Sequence, residues 1–360
     1  MSDGTAGNRA RKDTIVGAEK QSSGGMLSVG IDLGTSRSAI SSSNGEQFVV
    51  DSFVGWPVDL VARKVLQKDL LVGRDALENR TMLDLRRPLE RGLLKEGSER
   101  DVEAARELLR HLLSLVGAKN GKSQPVRAVL GVPAAALRTN KQYLRSALKG
   151  VVDSLMIVSE PFAVAYGLNA LLHTMIIDIG AGTTDFVVMK GRYPTEDDQR
   201  TLTIAGDSID VYLQKLIQAK HPAASFTIFM VREWKEQYSF VGEAPEPVVV
   251  TVPLDGVPTR IDITEEMKTA CESIVPPIVE TMLDLLPHVE PEFQERVRKN
   301  IILAGGGGLI RNLGPTLERA LERVGGGRIK VIEAPAYCGS DGGLALARDA
   351  QDNDWDRLVN

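Results

Sequence analysis

Two distant segments of the chain share one pattern of apolar and polar positions. In each, an apolar run ends at an aspartate, Asp32 or Asp178, and a glycine-rich turn and a second β-like run follow. Such a run, turn and run are typical of a β-hairpin. The two aspartates lie 146 positions apart, which is far longer than the period of a solenoid repeat. The pattern therefore predicts two related halves, each opening with the same unit.

The remaining segments alternate between helical and strand-like periodicity. Apolar residues recur at helical spacing over 102–116, and Ser98 with Asp101 forms a start similar to a capping box. Further elements are predicted in this order: a strand over 125–133, a helix over 137–151, a strand over 154–161, a strand, four glycines and a helix over 299–324, and a strand, a loop and a helix over 329–349. Alternating strands and helices predict an α/β fold. Weaker periodicity over 50–95 and 207–265 indicates smaller insertions.

Composition and charge mainly exclude classes of function. The chain has 43 basic and 48 acidic residues, which gives a net charge of −5. This charge provides no strong basic field, and no basic patch interleaved with aromatic residues occurs, so nucleic-acid binding is not expected. Two cysteines exclude a disulfide scaffold and a cysteine-rich zinc module, and the four histidines form no HExxH pair.

The ends of the chain and its apolar runs favour a cytoplasmic protein. No apolar run approaches the roughly 18 residues of a membrane span. Residues 1–25 carry charge, serine and glycine without an apolar block, so they are predicted to form a disordered tail and not a signal peptide. Residues 351–360 are predicted to form a polar tail. Without an export signal or paired cysteines, the expected location is the cytoplasm.

Three glycine-rich turns follow apolar strands and are candidates for binding phosphate. They contain Gly34, then Gly180 with Gly182, and then the four glycines at 305–308. Because glycine has no Cβ, backbone N–H groups in such turns can approach a phosphate closely. Neither the Rossmann spacing GxGxxG nor the P-loop spacing is present. The turns therefore indicate a nucleotide site of another architecture.

Three acidic residues stand at the ends of predicted strands. Asp32 and Asp178 each precede a phosphate-like turn, and Mg²⁺ is commonly held by one or two carboxylates together with substrate phosphates. The alternative is that both aspartates cap their turns by hydrogen bonds. Glu160 closes the strand over 154–161 and could orient an attacking water. Its alternative role is that of a glutamate at the start of a helix, where the helix dipole favours it.

Together these residues resemble the motifs of the actin-like ATPase superfamily, which includes actin, MreB, FtsA, DnaK-type chaperones and sugar kinases. The similar segments occur in the order of the family. They are GIDLGTS (30–36) for the first phosphate motif, VSEPFAVAYGL (158–168) for the first connecting helix, DIGAGTTD (178–185) for the second phosphate motif, LAGGGG (303–308) for the adenosine motif and GSDGGLALA (339–347) for the second connecting helix. The resemblance covers nearly the whole chain. It implies ATP and Mg²⁺ as cofactors.

The resemblance also implies a domain organisation. Two duplicated, RNase H-like α/β halves would flank a nucleotide cleft, each carrying a smaller inserted subdomain. The first domain would contain 26–172 and 328–350, with its insertion at about 50–95. The second would contain 173–327, with its insertion at about 207–265.

Motif matching implies roles for individual residues. Asp32 and Asp178 would hold Mg²⁺ through waters, and Glu160 would position the hydrolytic water with Thr183 as its helper. The nucleotide would contact Asp32, Gly34, Thr35, Ser36, Gly180, Ala181, Gly182, Thr183, Thr184, Gly206, Asp207, Lys235, Glu236, Gly305, Gly306, Gly307 and Gly308. Lys235 and Glu236 would approach adenine and ribose, and the alternative for this pair is an ordinary charged helix face. Ala181 replaces a more usual glycine, which is tolerable unless its φ is positive.

Segments 86–97, 187–210 and 233–243 resemble the bacterial actins whose filaments organise magnetosome chains. That resemblance implies a polymerising ATPase whose filaments align and position organelles, with slow Mg²⁺-dependent ATP hydrolysis regulating filament turnover. The implied partners are further copies of the chain and a magnetosome-associated adaptor protein, without direct insertion into a membrane. The alternatives are an MreB-like cell-shape filament and a small-molecule kinase of the same fold.

Overall fold

The structure is a computed structural model, and it describes residues 25–91, 93–94, 98–118, 124–134 and 141–357. Almost all of the predicted N-terminal tail and the first positions of the helix predicted over 137–151 lie outside these ranges. Among the described residues, no helix has both the length and the apolar character needed to cross a membrane.

The elements alternate between strands and helices along the chain. The strands are β1 (Leu27–Asp32), β2 (Arg37–Ser42), β3 (Gln47–Asp51), β4 (Val54–Pro57), β5 (Leu71–Val72), β6 (Leu83–Arg86), β7 (Leu89–Glu90), β8 (Leu93–Leu94), β9 (Val126–Val132), β10 (Ser154–Ser159), β11 (Leu172–Ile179), β12 (Thr184–Lys190), β13 (Gln199–Leu202), β14 (Val249–Leu254), β15 (Val257–Asp262), β16 (Ile301–Ala304), β17 (Ile329–Val331) and β18 (Asp356–Arg357). The α-helices are α1 (Leu60–Leu66), α2 (Arg74–Glu78), α3 (Glu99–Leu115), α4 (Lys141–Leu148), α5 (Glu160–Gly167), α6 (Gly206–Lys220), α7 (Ile228–Tyr238), α8 (Thr264–Glu272), α9 (Val275–Leu285), α10 (Pro291–Arg298), α11 (Leu313–Leu321) and α12 (Cys338–Asp349). This alternation confirms the predicted α/β class.

Two sheets of similar topology form the two halves. The first has the strand order β18-β10-β9-β1-β2-β3, and the second has the order β13-β12-β11-β16-β17. In each half a central strand, β1 or β11, pairs antiparallel with the next strand of the chain and parallel with a later one, β9 or β16. Most residues of these central strands are buried, as expected for strands covered on both faces. The predicted duplication is therefore visible in the pairing.

Both predicted insertions contain structure of their own. Within 50–95, strands β5, β4 and β6 form a small sheet, and Phe53, Leu71, Ala76 and Leu83 form a separate small core. Within 207–265, β14 and β15 form a hairpin. Its buried residues belong to the same apolar core as the sheet of the second half. The domain boundaries themselves stay a prediction.

Helices α5 and α12 join the two halves through very close backbone contacts. The chain passes from β10 through α5 into β11, and it returns from β17 through α12. A Cβ on Gly30 in β1 would lie 2.0 Å from the Ser340 carbonyl oxygen in α12. One on Gly342 in α12 would lie 1.8 Å from the Ala163 carbonyl oxygen in α5. Glycine is therefore required for α12 to pack directly on β1 and α5.

Part of the segment predicted as a polar tail over 351–360 is attached to the first sheet. β18 pairs antiparallel with the edge strand β10. Trp355 is 8% exposed, and the Arg127 guanidinium lies 5.4 Å from its ring centroid. Arg127 also forms an ion pair with Asp352 at 2.7 Å. A buried aromatic ring thus holds this polar segment against the sheet, and its hydrogen bonds cover an edge that would otherwise be open.

Candidate functional site

A cleft of about 410 Å³ lies between the two halves, where β1 and β11 end. Most of the residues predicted to contact a nucleotide line it, and they come from both halves: Asp32, Gly34, Thr35, Ser36, Glu160, Asp178, Gly180, Ala181, Gly182, Thr183, Gly206, Lys235, Glu236, Gly305, Gly306 and Gly307. Residues far apart in the sequence therefore meet because each sheet presents a strand end and its following turn to the same space.

Three of the predicted residues do not line this cleft. The Thr184 side chain is fully buried and its hydroxyl donates to the Ile204 carbonyl at 2.8 Å, so it faces the sheet interior. Gly308 is buried in the turn after β16, where its N–H donates to the Gly305 carbonyl. Asp207 faces a neighbouring cavity and is paired with Arg87 and Arg232. Its carboxylate is thus engaged by arginines.

An acidic cluster occupies the cleft where the predictions placed it. Asp32 ends β1, Asp178 lies near the end of β11, and Glu160 begins α5 directly after β10. Glu160 forms a hydrogen bond with Asp32. One oxygen of Asp32, Oδ1, is buried and has no hydrogen-bond partner. A buried acceptor of this kind is costly unless a ligand satisfies it, so the cluster is suited to a bound group.

The cluster holds its protons tightly. Burial raises the pKa of Asp32 to about 6. Burial, followed by the charges of Asp32 and Asp185, raises the pKa of Asp178 to about 8. The pKa of Glu160 lies well above its usual range, first because it is buried and then because Asp32 and Asp178 are close. A bound cation would offset the repulsion between these carboxylates and favour their ionised forms.

The residues fit a cation that is shared with a ligand. Among the described residues, no group of three or more histidine, cysteine, aspartate or glutamate side chains forms a complete metal cage. Mg²⁺ needs no such cage, because it retains several waters and uses one or two carboxylates with substrate phosphates. Asp32, with its unsatisfied Oδ1, and Asp178 supply carboxylates of this kind.

Glycines bring the backbone against both aspartates. Gly305 has a φ of 75°, and a Cβ there would lie 2.3 Å from Asp178 Oδ1. A Cβ on Gly339, at the start of α12, would lie 2.6 Å from Asp32 Oδ2. Gly339 is not among the predicted site residues, although it begins the GSDGGLALA segment that resembles the second connecting helix. Ala181 is not among the residues with positive φ, so its methyl group introduces no backbone strain in the second turn.

Asp185 is a further residue at the site that the sequence reasoning missed. It is buried, and its Oδ1 accepts hydrogen bonds from the Thr201 hydroxyl at 2.6 Å and from the Ala134 N–H at 3.1 Å. It also forms a hydrogen bond with Thr183. Because Ala134 follows β9 of the first half, Asp185 links the halves while it orients Thr183. Its position as the final letter of DIGAGTTD was the available signal.

The far end of the cleft carries charged residues of α7. Lys235 Nζ forms an ion pair with Asp210 at 2.7 Å and donates to the Gly206 carbonyl at 3.0 Å. Glu236 accepts from Arg37 of the first half at 2.6 Å. The pair therefore lines the cleft with its charges already partnered, and it is not a freely solvated helix face. Cys338 also lines the cleft.

Comparison with known proteins identifies the family. The MreB/Mbl protein family matches residues 26–354. This chain belongs to the MreB/Mbl family. The actin-like protein MamK of Paramagnetospirillum magneticum is 42% identical over 332 residues, which covers 92% of this chain and 95% of MamK. The cell shape-determining protein MreB of Escherichia coli is 24% identical over 260 residues, covering 69% and 73%.

Solved structures agree with this membership of the MreB/Mbl family. The MamK double helical filament matches with a TM-score of 0.87 at 41% identity, over 91% of this chain and 100% of that one. A non-polymerising mutant of MamK bound to AMPPNP matches with a TM-score of 0.69 at 42% identity, over 90% and 99%. The predicted actin-like fold is thereby confirmed.

Proposed function

We propose that this protein is an ATP-dependent, polymerising actin whose filaments align magnetosome chains. The observation that carries the proposal is the acidic cluster of Asp32, Glu160 and Asp178 between two glycine-rich turns in one cleft. This arrangement is suited to a nucleoside triphosphate with its cation. The similarity to MamK, which has been solved with AMPPNP and as a filament, supports the same function.

The residues of the chain divide the work of hydrolysis. Backbone N–H groups of the two turns bind the phosphates. Bound Mg²⁺ would neutralise phosphate charge, and Asp32 and Asp178 would hold it. Glu160 accepts a hydrogen bond from the attacking water and aligns it, while Thr183, oriented by Asp185, helps to position it. Without a strong base, catalysis relies on positioning, so turnover is slow.

Exposed apolar side chains support self-association. On α1, Leu60 and Val61 are 81% and 70% exposed, beside Arg63 and Lys64. We call the exposed face of α1 the tip patch. Such a surface is costly to leave in water, and a second copy of the chain is the partner that a homopolymer provides.

A second exposed apolar surface lies at the start of β11 and just after β12. Leu172 starts β11 and Tyr193 follows β12, one strand length from the cleft, and both are more than half exposed. Asp197 follows Tyr193 by four positions in the chain, and Asp354 is close enough in space for its charge to act on the Tyr193 hydroxyl. We call this surface the base patch. Two separate exposed apolar surfaces on one chain suit contacts with further copies of the chain in a homopolymer.

Assembly is tested by pelleting with Mg²⁺ and ATP. We expect the wild-type protein to sediment and to show filaments by electron microscopy. Val61→Asp should remain in the supernatant because it places a charge in the tip patch, while still binding a fluorescent ATP analogue. Val324→Asp, the same change outside both patches, is the control. A wild-type protein that stays monomeric and phosphorylates a small molecule would instead support a kinase.

Hydrolysis is tested by phosphate release from Glu160→Gln. We expect release to slow by about a hundredfold, because the amide holds the water less well than a carboxylate does. Assembly with ATP should persist and filaments should last longer. Glu243→Gln, at an exposed position, is the control. Release at the wild-type rate from Glu160→Gln would remove Glu160 from this role.

A further inference from the structure

Arg87 joins the first phosphate turn to the other half of the molecule. It follows β6 in the insertion of the first half. Its Nε donates to the Thr35 carbonyl at 3.1 Å, and its Nη2 donates to Asp207 Oδ2 of the second half at 2.9 Å. The side chains of Arg87 and Asp207 are 25% and 29% exposed. The ion pair is thus largely shielded from solvent, and it shares the planar guanidinium with a second fixed acceptor.

The other end of this link reaches the second phosphate turn. Asp207 lies at the start of α6, and its N–H donates to the Ala181 carbonyl at 2.7 Å. The preceding Gly206 N–H donates to the Gly180 carbonyl at 3.1 Å. One guanidinium therefore connects the two glycine-rich turns, directly through Thr35 and by way of Asp207 and the backbone of α6.

The acceptor on the second half is also held by contacts within its own half. Arg232 Nη2 donates to Asp207 Oδ1 at 3.0 Å, and its Nε donates to Asp210 at 3.0 Å. Lys235 forms an ion pair with the other oxygen of Asp210. Each oxygen of Asp207 thus has its own arginine, Arg232 from the same half and Arg87 from the opposite half. Asp207 is therefore fixed by a charge-assisted hydrogen bond that does not involve Arg87.

A second ion pair crosses the cleft, but it differs in its surroundings. Arg37 and Glu236 lie 2.6 Å apart, and their side chains are 56% and 42% exposed. Exposed pairs of this kind contribute little because water and salt screen them. The Arg87–Asp207 pair is the more shielded of the two.

We propose that Arg87 is a positioning residue that latches the two halves closed over the nucleotide. The proposal rests on the function proposed above and adds a named coupling to it. With Arg87 in place, both phosphate turns face the same phosphates, and nucleotide escapes slowly. When the contact opens, the first turn loses its tie to the second half, so the cleft widens and nucleotide exchange speeds up.

The latch is tested by the dissociation rate of a fluorescent ATP analogue in Mg²⁺, at protein concentrations below assembly. We expect Arg87→Ala to release the analogue roughly tenfold faster than wild type, from the loss of a charge-assisted hydrogen-bonded pair. Arg87→Lys keeps the positive charge but loses the planar guanidinium that bonds two acceptors, so its release rate should lie between those of wild type and Arg87→Ala. Arg86→Ala is the matched control, because Arg86 pairs with Asp84 and Asp101 within its own half.

A double-mutant cycle separates the latch from a merely structural effect. Asp207→Asn alone should speed release, and it should do so by a smaller factor in Arg87→Ala than in wild type, because both substitutions remove the Arg87–Asp207 contact. Any effect that remains in Arg87→Ala comes from the contact of Asp207 with Arg232. Additive effects of the two substitutions, or release from Arg87→Ala at the wild-type rate, would overturn the proposal.

A measurement without nucleotide distinguishes failure of the latch from failure of the proposed function. Small-angle X-ray scattering of the nucleotide-free protein should give a larger radius of gyration for Arg87→Ala than for wild type and Arg86→Ala. Failure of the wild-type protein to bind the analogue would reject the proposed function. Equal radii of gyration for Arg87→Ala and wild type would reject the latch, whatever the result of the binding measurement.

Discussion

Each half places an aspartate at the corresponding position in the cleft, but the two aspartates have different surroundings. Asp32 of the first half shares a hydrogen bond with Glu160, and its pKa is raised to about 6. Asp178 of the second half lies among the charges of Asp32 and Asp185, and its pKa is raised further, to about 8. Both halves therefore carry a carboxylate at this position, but its neighbours give the second aspartate the higher pKa.

The turns that follow these aspartates are also supported differently. In the first half, the Ser52 hydroxyl donates to the Gly34 carbonyl at 2.8 Å and contacts the Ser38 hydroxyl, so side chains of the neighbouring strands hold the turn. In the second half, the backbone of α6 holds the turn through Gly206 and Asp207. Movement of α6 is thus transmitted directly to the second turn, whereas the first turn depends on Arg87 for its contact with that helix.

The central strands differ two residues before each aspartate. Gly30 occupies this position in β1 and Ile176 occupies it in β11. Gly30 lies against the backbone of α12, whereas Ile176 is fully buried in the apolar cluster between the halves, with Val129 and Leu346. At this position the first half has room only for glycine, whereas the second half is filled by a large apolar side chain.

The largest expected effect tests this difference. Gly30→Val should prevent folding, because even its Cβ would overlap the Ser340 carbonyl and backbone cannot repack. Ile176→Ala should fold and lose about 2–5 kcal/mol through a cavity. Urea denaturation followed by circular dichroism measures both. If Gly30→Val unfolded at the urea concentration of wild type, the direct contact of α12 with β1 would be wrong.

A smaller effect should distinguish the two aspartates by pH. A raised pKa means that the folded state loses stability as pH rises from the unfolded pKa of 3.8 to the folded one. In EDTA without nucleotide, Asp32→Asn should therefore gain stability over wild type up to about pH 6 and no further. The gain of Asp178→Asn should continue to about pH 8, at roughly 1 kcal/mol per pH unit.

Denaturation at pH 5, 6, 7, 8 and 9 provides the measurement. Equal pH profiles for the two variants would contradict the difference between the halves. With Mg²⁺ and ATP, wild type should instead be more stable than either variant. Each variant lacks one carboxylate that would hold the cation, so the ligand stabilises wild type most.

The smallest effect concerns the connections between the second and third strands of each half. In the second half, Asp198 accepts from Arg192 and from the Thr195 N–H, and the pKa of Asp198 is lowered to about 2 by Lys190 and Thr195, although burial opposes this. A lowered pKa contributes stability above about pH 4 that is lost as pH falls towards 2.

Asp198→Asn should therefore be less stable than wild type at pH 6, and the difference should shrink on acidification. Asn44 in the corresponding turn of the first half donates to the Val116 carbonyl at 2.9 Å and does not titrate. The cost of Asn44→Ala should stay the same between pH 6 and 3. Thermal unfolding at both pH values measures each variant, and a constant cost for Asp198→Asn would remove its ion pairs as an acid-sensitive element.

The sequence was most informative where function demands a local pattern. A strand, an aspartate and a glycine turn are contiguous in the chain, so Asp32 and Asp178 could be placed at a strand end without a structure. Thr184 was misplaced because alternation along β12 turns it away from the cleft, which a turn motif does not reveal. The Arg87–Asp207 and Arg127–Trp355 contacts each join residues more than a hundred positions apart, and no periodicity predicts such pairs.

The two native thiols have a practical consequence for following filaments one at a time. Cys271 is buried and Cys338 lies half-buried at the cleft, and burial raises the pKa of both thiols to about 11. At neutral pH both thiols are therefore held in the protonated form, whereas the thiolate is the form that attacks maleimide dyes. A cysteine added on the outer surface would have a pKa near 8.5 and would react far sooner. A single fluorophore could thus be attached without replacing either native cysteine.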